Sequence, residues 1–455
     1  MVQVFKANKK ANKKQKLPVQ ELHIDSLDLE GQGVAKGSPI TFVKGGLPGE
    51  TCKVQISKQS KRFQQGSVTS VVTSSDLRIT PFCKHFEQCG GCQNQHIAPE
   101  NLLPFKQDAV SALLERSAGL SAADIPWQAP LTAATKHYRR KARLAIDARN
   151  RDDIRLGFRA QSSKQILNIS ECQILNANME ALLSPLQLLL QSMRNPGAIG
   201  HISLLNGESE LSLGFRVIKT LAKSDVALVE EFAKKFNVKC LLQDAEGTSE
   251  SDNHYALSAC NNDNEAVNLN IYLSQDDFVQ VNTELNQAMV SQAVDWLTMS
   301  ENDRVLDLFC GVGNFSLPLA LKCGSVLAIE GVVEMVQKAQ SNAQINGIEN
   351  IEFMHGDLSA EDCLALLSRE NCNKVLLDPA RDGALEVMDV LNSLRPEAIL
   401  YVSCNPNTFV RDIAQLLQSN YALEKIGLLD MFPYTTHTEI MALFTLTTGA
   451  NSRSK

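Results

Sequence analysis

Short apolar runs alternate with helix-length amphipathic segments from about residue 275 onward. The apolar runs are VLDLF, SVLAIE, IEFMHG, KVLLDP and AILYVSC. Such short continuous runs are typical of strands buried on both faces, and parallel strands need a crossover helix between them. The pattern therefore predicts an α/β domain with a Rossmann-like, doubly wound sheet over residues 273–455.

The N-terminal pattern is different. Residues 17–80 contain β-like runs (ELHIDSLDL, ITFVKG, TCKVQIS, GSVTSVV) that are separated by glycine pairs and by the turn GGLPGE. This pattern predicts a small β-barrel of the OB type. Lys53, Lys58, Lys61 and Arg62 form either an oligonucleotide-binding face or a charged edge that prevents strand pairing, and we favour RNA binding.

The intervening residues 81–272 mix helical and strand-like stretches and predict a central α+β domain. NLLPFKQDAVSALLERS and NANMEALLSPLQLLLQSM have helical spacing. The segment YRRKARLAID combines an aromatic residue with clustered cations: Tyr138, Arg139, Arg140, Lys141 and Arg143. Such a cluster can stack on a base and hold phosphates, although a solvated strand edge has a similar composition.

Charge is divided unevenly along the 455 residues, whose net charge is −7. Residues 1–160 hold 25 Lys and Arg against 14 Asp and Glu, which leaves 19 against 37 for the rest. A positive N-terminal part suits a polyphosphate partner, and a negative remainder suits a small-molecule domain. Residues 1–16, with six lysines, are expected to be a disordered basic tail, either a solvated tail or an RNA arm.

Membrane and export signals are not apparent in the sequence. Apolar runs fall short of the roughly 18 residues that a membrane-spanning helix needs, and the N-terminus lacks the apolar core of a secretory signal. We therefore expect a cytoplasmic protein that has no membrane association, and no feature indicates an obligate protein partner.

A glycine pair follows the first strand of the predicted sheet, in VLDLFCGVGNFS. Gly311 and Gly313 would let the backbone approach a ligand, while Glu330 and Asp357 end the next two strands, where they could bind ribose hydroxyls and an adenine amino group. Alternatively, these acids only cap helices. Ser316 stands where a dinucleotide site has its third glycine, which favours S-adenosylmethionine over NAD.

The fourth and fifth strands end in residues that can carry chemistry. LLDPAR contains Asp378 and Arg381, and YVSCNPNT contains Cys404 followed by Asn-Pro, which breaks the chain and keeps the thiol near the crevice. This position favours a nucleophile, although a packing cysteine is the commoner fate of a single Cys.

Three cysteines lie close together in sequence, in a C-x5-C-x2-C spacing. They are Cys83, Cys89 and Cys92, and Cys172 is a plausible fourth ligand. Twelve cysteines in a cytoplasmic protein do not indicate disulfides. The spacing alone leaves open an iron–sulfur cluster, a zinc ion or no ligand at all.

Taken in order, several motifs resemble those of the RNA uracil-C5 methyltransferase family. They are FVQVN (residues 278–282), DLFCGVGNFS, LLDPAR, YVSCNPNT and HTE (residues 437–439). The likeness covers nearly the whole chain, from about residue 15 to 447. With a barrel similar to a TRAM domain and the cysteine spacing, the chain is most similar to family members that act on 23S rRNA.

The resemblance implies a function for most of these residues. Cys404 would add to carbon 6 of uracil and Glu439 would remove the proton from carbon 5. Gln280, Phe309, Asn314, Glu330 and Asp357 would contact S-adenosylmethionine, and Asp378 would lie between this cofactor and uracil. Cys83, Cys89, Cys92 and Cys172 would hold a [4Fe-4S] cluster with a structural role. The implied partner is 23S rRNA and, by analogy alone, its uridine 1939.

Two departures from the family pattern concern details of substrate contact. Ala380 follows Pro379 where a second proline is usual, and Tyr434 stands where histidine is common. Two other functions remain as alternatives. One is a non-catalytic RNA-binding protein, which would have no use for Cys404 and Glu439. The other is an N-methyltransferase, but such enzymes typically have an Asn/Asp-Pro-Pro-aromatic motif, which LLDPAR does not match.

Overall fold

A computed structural model describes residues 17–243 and 253–447 of the chain. The chain divides into two compact units, residues 1–79 and 80–455. The predicted basic tail, residues 1–16, lies outside the described residues. The division predicted at residues 272 and 273 stays a prediction, because both sides of it belong to the second compact unit.

The first unit is a curled β-sheet, and the β-like runs of the sequence all contribute to it, although ELHIDSLDL is divided between two strands. Its strands are β1 (Val19–His23), β2 (Ser26–Leu27), β3 (Gly33–Ala35), β4 (Ile40–Lys44), β5 (Thr51–Gln59) and β6 (Phe63–Thr73). They pair in the order β1-β5-β6-β4-β3-β2. Ile24, Val43 and Val54 fill the core, and Glu50 is buried against Arg78. The sheet supports the small β-fold expected here, while its assignment to the TRAM type stays a prediction.

The middle of the chain forms a second sheet covered by helices. Its elements are α1 (Pro99–Ala118), β7 (Lys141–Asp147), β8 (Arg155–Gly157), α2 (Ala177–Glu180), α3 (Leu183–Ser192), β9 (Ile199–Asn206), β10 (Leu211–Val217), α4 (Lys223–Phe236) and β11 (Lys239–Gln243). The strand order is β11-β10-β9-β7-β8. Leu183, Leu186 and Leu190 recur at helical spacing on α3, and this spacing buries them against the sheet.

The C-terminal part begins with the hairpin of β12 (His254–Cys260) and β13 (Ala266–Tyr272). It continues with α5 (Thr283–Leu297), β14 (Arg304–Leu308), α6 (Ser316–Ala320), β15 (Ser325–Glu330), α7 (Val333–Ile345), β16 (Ile351–His355), α8 (Glu361–Leu367), β17 (Lys374–Leu377), α9 (Leu385–Leu394), β18 (Ala398–Ser403), α10 (Pro406–Gln418), β19 (Tyr421–Leu429) and β20 (Glu439–Leu446).

These strands form one doubly wound sheet, as the sequence predicts. Its order is β16-β15-β14-β17-β18-β20-β19, with β20 antiparallel to both of its neighbours. The carboxyl ends of the parallel strands therefore meet at one edge, where the antiparallel β20 begins. The first residue of β20 is Glu439, so this topology brings the HTE motif to the same edge as the glycine pair.

One helix of the middle segment belongs structurally to this sheet. Helix α1 begins with Pro99 in its first turn and ends at Gly119, which has φ = 71°. It packs against α10, the helix that follows Cys404. Within the described ranges, no helix is both long enough and apolar enough to cross a bilayer.

Candidate active site

The loop after β14 presents its backbone to the open edge of the sheet. Phe309, Gly311 and Gly313 all have positive φ, at 67°, 58° and 96°. A Cβ atom on Gly313 would stand 2.3 Å from the Cδ1 atom of Leu317, whereas one on Gly311 would have no neighbour within 4 Å. Gly313 is therefore required for packing, and Gly311 borders the space into which a ligand can approach the backbone.

Glu330 and Asp357 stand at the ends of the next two strands, as predicted. Glu330 accepts hydrogen bonds from the backbone N–H groups of Gly311 and Val332, each at 3.0 Å. Asp357 is exposed and accepts bonds from the N–H and hydroxyl of Ser359, which lower its pKa. Glu330 thus connects the glycine loop to the neighbouring strand, while the bonds of Asp357 are local and of the capping type.

Asn314 and Gln280 lie in the same half of the edge. The Asn314 side chain pairs with Asn286 through two amide hydrogen bonds of 2.9 and 3.0 Å and also accepts one from the Tyr255 hydroxyl at 2.9 Å. Its amide therefore fastens the loop to α5, and any ligand contact through it competes with these bonds. Gln280 is buried, and its carbonyl accepts a bond from the Arg140 guanidinium at 2.9 Å. We call Phe309–Asn314, Glu330 and Asp357 the glycine-loop half.

The other half of the edge holds Asp378, Cys404 and Glu439, which we call the thiol half. Ser403 of β18 pairs with Ile440 of β20 in antiparallel register, so the next residue, Cys404, is level with Glu439. Asp378 follows β17, the neighbour of β18 on its other side. The backbone N–H of Asp378 donates to the carbonyl of Leu308 at 3.3 Å, which joins this half to the start of the glycine loop.

Burial raises the pKa of all three groups in the thiol half. Glu439 is only 8% exposed, and burial raises its pKa to about 7, against the opposing charges of Arg381 and Lys106. Burial and then the charge of Glu439 raise the pKa of Asp378 to about 8. The pKa of the Cys404 thiol rises to about 11 because of burial and then of Glu439 and Asp378, while Arg381 opposes the rise. Near neutral pH the two carboxyls therefore share protons.

Two cations and a histidine surround the thiol half. The Arg381 guanidinium lies 3.2 Å from Nδ1 of His437, and its own carbonyl accepts a bond from the Asn405 amide beside Cys404 at 2.9 Å. Burial, followed by Arg381, Lys106 and Arg139, lowers the pKa of His437 to about 4, so its ring is neutral. Lys106 comes from α1. Sequence reasoning missed it because it lies more than 300 residues from the motifs that it contacts, and an isolated lysine in an amphipathic helix carries no signal.

The four cysteines predicted as ligands come near one another. Burial, followed by the charges of Cys172, Cys89 and Cys83, raises the pKa of Cys92 to about 12. Lys84 contacts Glu171 at 3.2 Å and Ser170 at 3.4 Å, which holds the chain next to Cys83 against the chain next to Cys172. In the part of the chain that the structure describes, no three His, Cys, Asp or Glu side chains are close enough to hold a single metal ion.

The residues 83–94, here called the cysteine loop, also contact the segment that leads to Glu439. The backbone N–H groups of Gln93 and Asn94 donate to the carbonyl of Tyr434 at 3.0 and 2.9 Å. The Asn94 amide donates to the carbonyl of Thr435 at 3.2 Å. The cysteine loop therefore forms part of the wall that positions the thiol half.

The basic cluster predicted on YRRKARLAID is only partly available to a nucleic acid. Tyr138 is buried beside Ile174, and Arg140 is buried with its guanidinium 4.2 Å from the centroid of the Tyr255 ring. Lys141 donates to the carbonyl of Asp277. Arg143 is exposed. Tyr138 and Arg140 serve the protein interior, so neither RNA contact nor a solvated strand edge describes these two side chains.

The fold has a counterpart among solved structures. It is similar to the solved structure of the Pyrococcus abyssi tRNA (uracil-54, C5)-methyltransferase in complex with S-adenosyl-L-homocysteine, with a TM-score of 0.68 and 22% sequence identity. The likeness covers 94% of this chain and 100% of that one, and it shows the fold.

Sequence comparison identifies the family. The family model described as tRNA (Uracil-5-)-methyltransferase matches residues 111–446, and the chain belongs to this family. Its relatives include the 23S rRNA (uracil(1939)-C(5))-methyltransferase RlmD of Alteromonas naphthalenivorans, at 42% identity over 93% of this chain and 88% of that protein. The RlmD protein of Shewanella sp. (strain MR-7) is 39% identical over 98% of this chain and 100% of its own length.

Proposed function

We propose that this protein transfers a methyl group from S-adenosylmethionine to carbon 5 of uridine 1939 in 23S rRNA. The family description names tRNA, but relatives at about 40% identity are named for 23S rRNA and match almost the full length of this chain. That similarity includes the N-terminal sheet, which lies outside the residues 111–446 that the family model matches. The reaction type is supported above all by the level positions of Cys404, directly after β18, and Glu439, at the start of the adjacent strand β20.

Cys404 is the nucleophile in this proposal. Carbon 5 of uracil is too weak a nucleophile to attack a methyl group by itself. Addition of the Cys404 thiolate to carbon 6 breaks the 5,6 double bond and places the electron pair on carbon 5. The raised pKa means that the thiol holds its proton near neutral pH, so attack requires this proton to pass to solvent before the thiolate adds to carbon 6. Arg381 is the nearby cation that opposes the rise.

Glu439 then acts as the general base. After methyl transfer it accepts the proton of carbon 5, the double bond re-forms and the thiolate leaves carbon 6. A base whose pKa lies near 7 is well matched to this task at neutral pH. Asp378, with a pKa near 8, is protonated when Glu439 is ionised and can donate a hydrogen bond to the bound base.

The glycine-loop half binds S-adenosylmethionine, which supplies an electrophilic methyl group on a sulfonium. Gly311 lets the loop backbone approach this ligand, and Glu330 holds the loop in place through the Gly311 N–H. In this proposal Phe309, Asn314, Gln280 and Asp357 contact the same ligand, and Asp378 lies between it and uracil.

A [4Fe-4S] cluster on Cys83, Cys89, Cys92 and Cys172 completes the proposal. The thiols of these four cysteines lie near one another, and four thiolates are the ligand set of such a cluster. The raised thiol pKa values favour protonated cysteines without a metal, so ligand binding would release protons. The role is structural, since methyl transfer moves no unpaired electron.

The RNA is bound by the N-terminal sheet, residues 17–80, and by the central segment, residues 81–272, while residues 273–455 carry the reaction. Lys53, Lys58, Lys61 and Arg62 are exposed and available to phosphates.

Mapping the methylated position tests this function. Purified protein, S-adenosylmethionine and unmodified 23S rRNA should give 5-methyluridine at position 1939, detected by nuclease digestion and mass spectrometry. A methyl group at a tRNA uridine and none in 23S rRNA would overturn the substrate. A methyl group on a nitrogen would overturn the reaction.

A further inference from the structure

Lys106 is a buried cation whose ammonium group points at the segment that ends in Glu439. It is 3% exposed and lies in the middle of α1. Its Nζ atom donates to the carbonyl of His437 at 2.5 Å and to the carbonyl of Thr435 at 3.2 Å. Burying an ammonium group is costly unless its donors are satisfied, so these two carbonyls are firmly held.

The two carbonyls that Lys106 binds belong to Thr435 and His437, on either side of Thr436, the residue that precedes the HTE motif. The carbonyl of Thr435 also accepts a hydrogen bond from the Asn94 amide, and the carbonyl of Tyr434 accepts bonds from the backbone of the cysteine loop. Lys106 therefore fixes the last turn of chain before β20, and with it the position from which the Glu439 carboxyl faces Cys404.

Lys106 also acts on Glu439 through its charge. Asp430 and Glu439 are the carboxyls whose charges act on Lys106 and favour its protonated form, against the burial that lowers its pKa. In return, Arg381 and Lys106 favour the ionised form of Glu439, which burial disfavours. Arg381 is exposed and is screened by solvent, whereas Lys106 is enclosed, so its influence on Glu439 is less sensitive to salt.

The charged and titratable groups that interact with Glu439 are Lys106, Arg381, Asp378 and Cys404; His437 lies beside Arg381, and Asp430 acts on Lys106. His437 is neutral, and Asp378 and Cys404 hold protons near neutrality. Lys106 is thus the enclosed positive charge in this set.

We propose that Lys106 is a positioning residue for the base: it holds Thr435 and His437 through their carbonyls and favours the ionised form of Glu439 for removal of the carbon 5 proton. This inference rests on the proposed function of Glu439. It predicts that loss of the charge slows proton removal at low pH and spares the earlier steps.

The test measures tritium release from RNA labelled at carbon 5 of the target uridine, in single turnovers between pH 6 and pH 9. Lys106→Met removes the charge and the donors, Lys106→Gln removes the charge and keeps N–H donors, and Lys106→Arg keeps the charge. We expect Lys106→Gln and Lys106→Met to release tritium about tenfold more slowly near pH 6.5 and to approach the native rate near pH 9, because Glu439 then ionises unaided. Lys106→Arg should keep the native pH profile. S-Adenosylmethionine affinity should not change.

Lys374→Met is the matched control. Lys374 is likewise buried and donates to two carbonyls, those of Leu297 and Thr298 at 2.6 and 2.7 Å, but it begins β17 at the end opposite the site. We expect this variant to lose stability and to keep the native pH profile. If Lys106→Met does not fold, Lys106→Gln carries the test.

Two failures can be told apart. The acidic limb of the pH profile is the fall in the rate of tritium release at low pH. If Lys106→Gln keeps the native pH profile while Glu439→Gln loses this acidic limb, Lys106 is only structural and this inference is wrong. If Glu439→Gln keeps the acidic limb of the native protein, the base is elsewhere and the proposed role of Glu439 fails.

Discussion

The two halves of the carboxyl edge are built on different physical principles. In the glycine-loop half, groups are positioned by backbone conformation and by hydrogen bonds already made: Gly311 has a positive φ, and Glu330 accepts two backbone N–H groups. In the thiol half, burial raises the pKa of Asp378, Cys404 and Glu439 together. The first half is suited to holding a ligand in a fixed position, and the second to moving protons.

This difference predicts which property a substitution in each half should change. A change in the glycine-loop half should weaken binding of S-adenosylmethionine and leave proton transfers alone. A change in the thiol half should alter the reaction and its pH dependence and leave that binding alone. The following substitutions would sharpen or break the distinction.

The largest effect is expected for Cys404→Ala. It should abolish methyl transfer, because no other group can add to carbon 6, while S-adenosylmethionine binds with nearly native affinity. Methyl transfer is measured by filter-binding of RNA after reaction with radiolabelled cofactor, and S-adenosylmethionine affinity is measured by calorimetry. Cys240→Ala, which removes a cysteine of β11 in the central sheet, is the control and should stay active. Methylation by Cys404→Ala would disprove the nucleophile.

Glu439→Gln should stop the reaction one step later. Attack and methylation still occur, but release slows by about 10²- to 10⁴-fold, the usual contribution of a general base. A covalent protein–RNA adduct should then accumulate on denaturing gels. Glu424→Gln, at an exposed position on β19, should not trap RNA. Normal turnover without any adduct would assign the base elsewhere.

Cys172→Ser tests whether the cysteine loop supports the thiol half. The native protein, purified without oxygen, should be brown with about four iron atoms per chain, and the variant should lose them, as should Cys89→Ser. Stability should fall, because metal binding is coupled to folding. Since Gln93 and Asn94 hold Tyr434 and Thr435, the variant should also slow the chemical steps and keep S-adenosylmethionine affinity.

The control for this variant is Cys260→Ser, at an exposed cysteine, which should keep iron and activity. Iron retained by Cys172→Ser would show that the fourth ligand is another residue. A colourless native protein that contains zinc would exclude the cluster.

Glu330→Ala should weaken S-adenosylmethionine binding by about 10- to 100-fold, because it frees the Gly311 N–H and loosens the loop, a loss of about 1–3 kcal/mol. The rate at saturating cofactor should stay within a few-fold of native. Glu334→Ala, on the exposed side of α7, should bind normally. A rate that falls while affinity holds would contradict the separation of the two halves.

The smallest effect concerns stability. The pKa of Glu439 is raised from 4.5 to about 7 in the folded protein, so its stabilising contribution is complete below about pH 4.5 and is lost as pH rises to 7. Glu439→Gln has no carboxyl to ionise at this position. Near pH 8 its free energy of unfolding should therefore exceed that of the native protein by about 1–2 kcal/mol. Urea melts at pH 5 and pH 8 measure this. If the difference in free energy of unfolding between Glu439→Gln and the native protein is the same at both pH values, the raised pKa of Glu439 is contradicted.

How far the sequence predicts each half follows from the same physics. The glycine pair and the strand-terminal acids are local signals, and β14, β15 and β16 place them as expected. The position of Cys404 alone favours a nucleophile, but its pairing with Glu439 could be assigned only through resemblance to a family, since that pairing depends on β20 running antiparallel beside β18. The buried state of Tyr138 and Arg140 was missed because a basic run on a strand reads as solvated until its partners, Tyr255 and Gln280, are known.

The bond between the Asn94 amide and the carbonyl of Thr435 joins residues 341 positions apart in the chain. It has a consequence for how the protein can be divided. A methyltransferase fragment cut out at residue 273 would keep every motif of the doubly wound sheet, yet it would leave behind both the cysteine loop and α1, which form one wall of its own site. The catalytic part is therefore not a portable module, and transplanting it onto another RNA-binding domain requires that residues 83–118 travel with it.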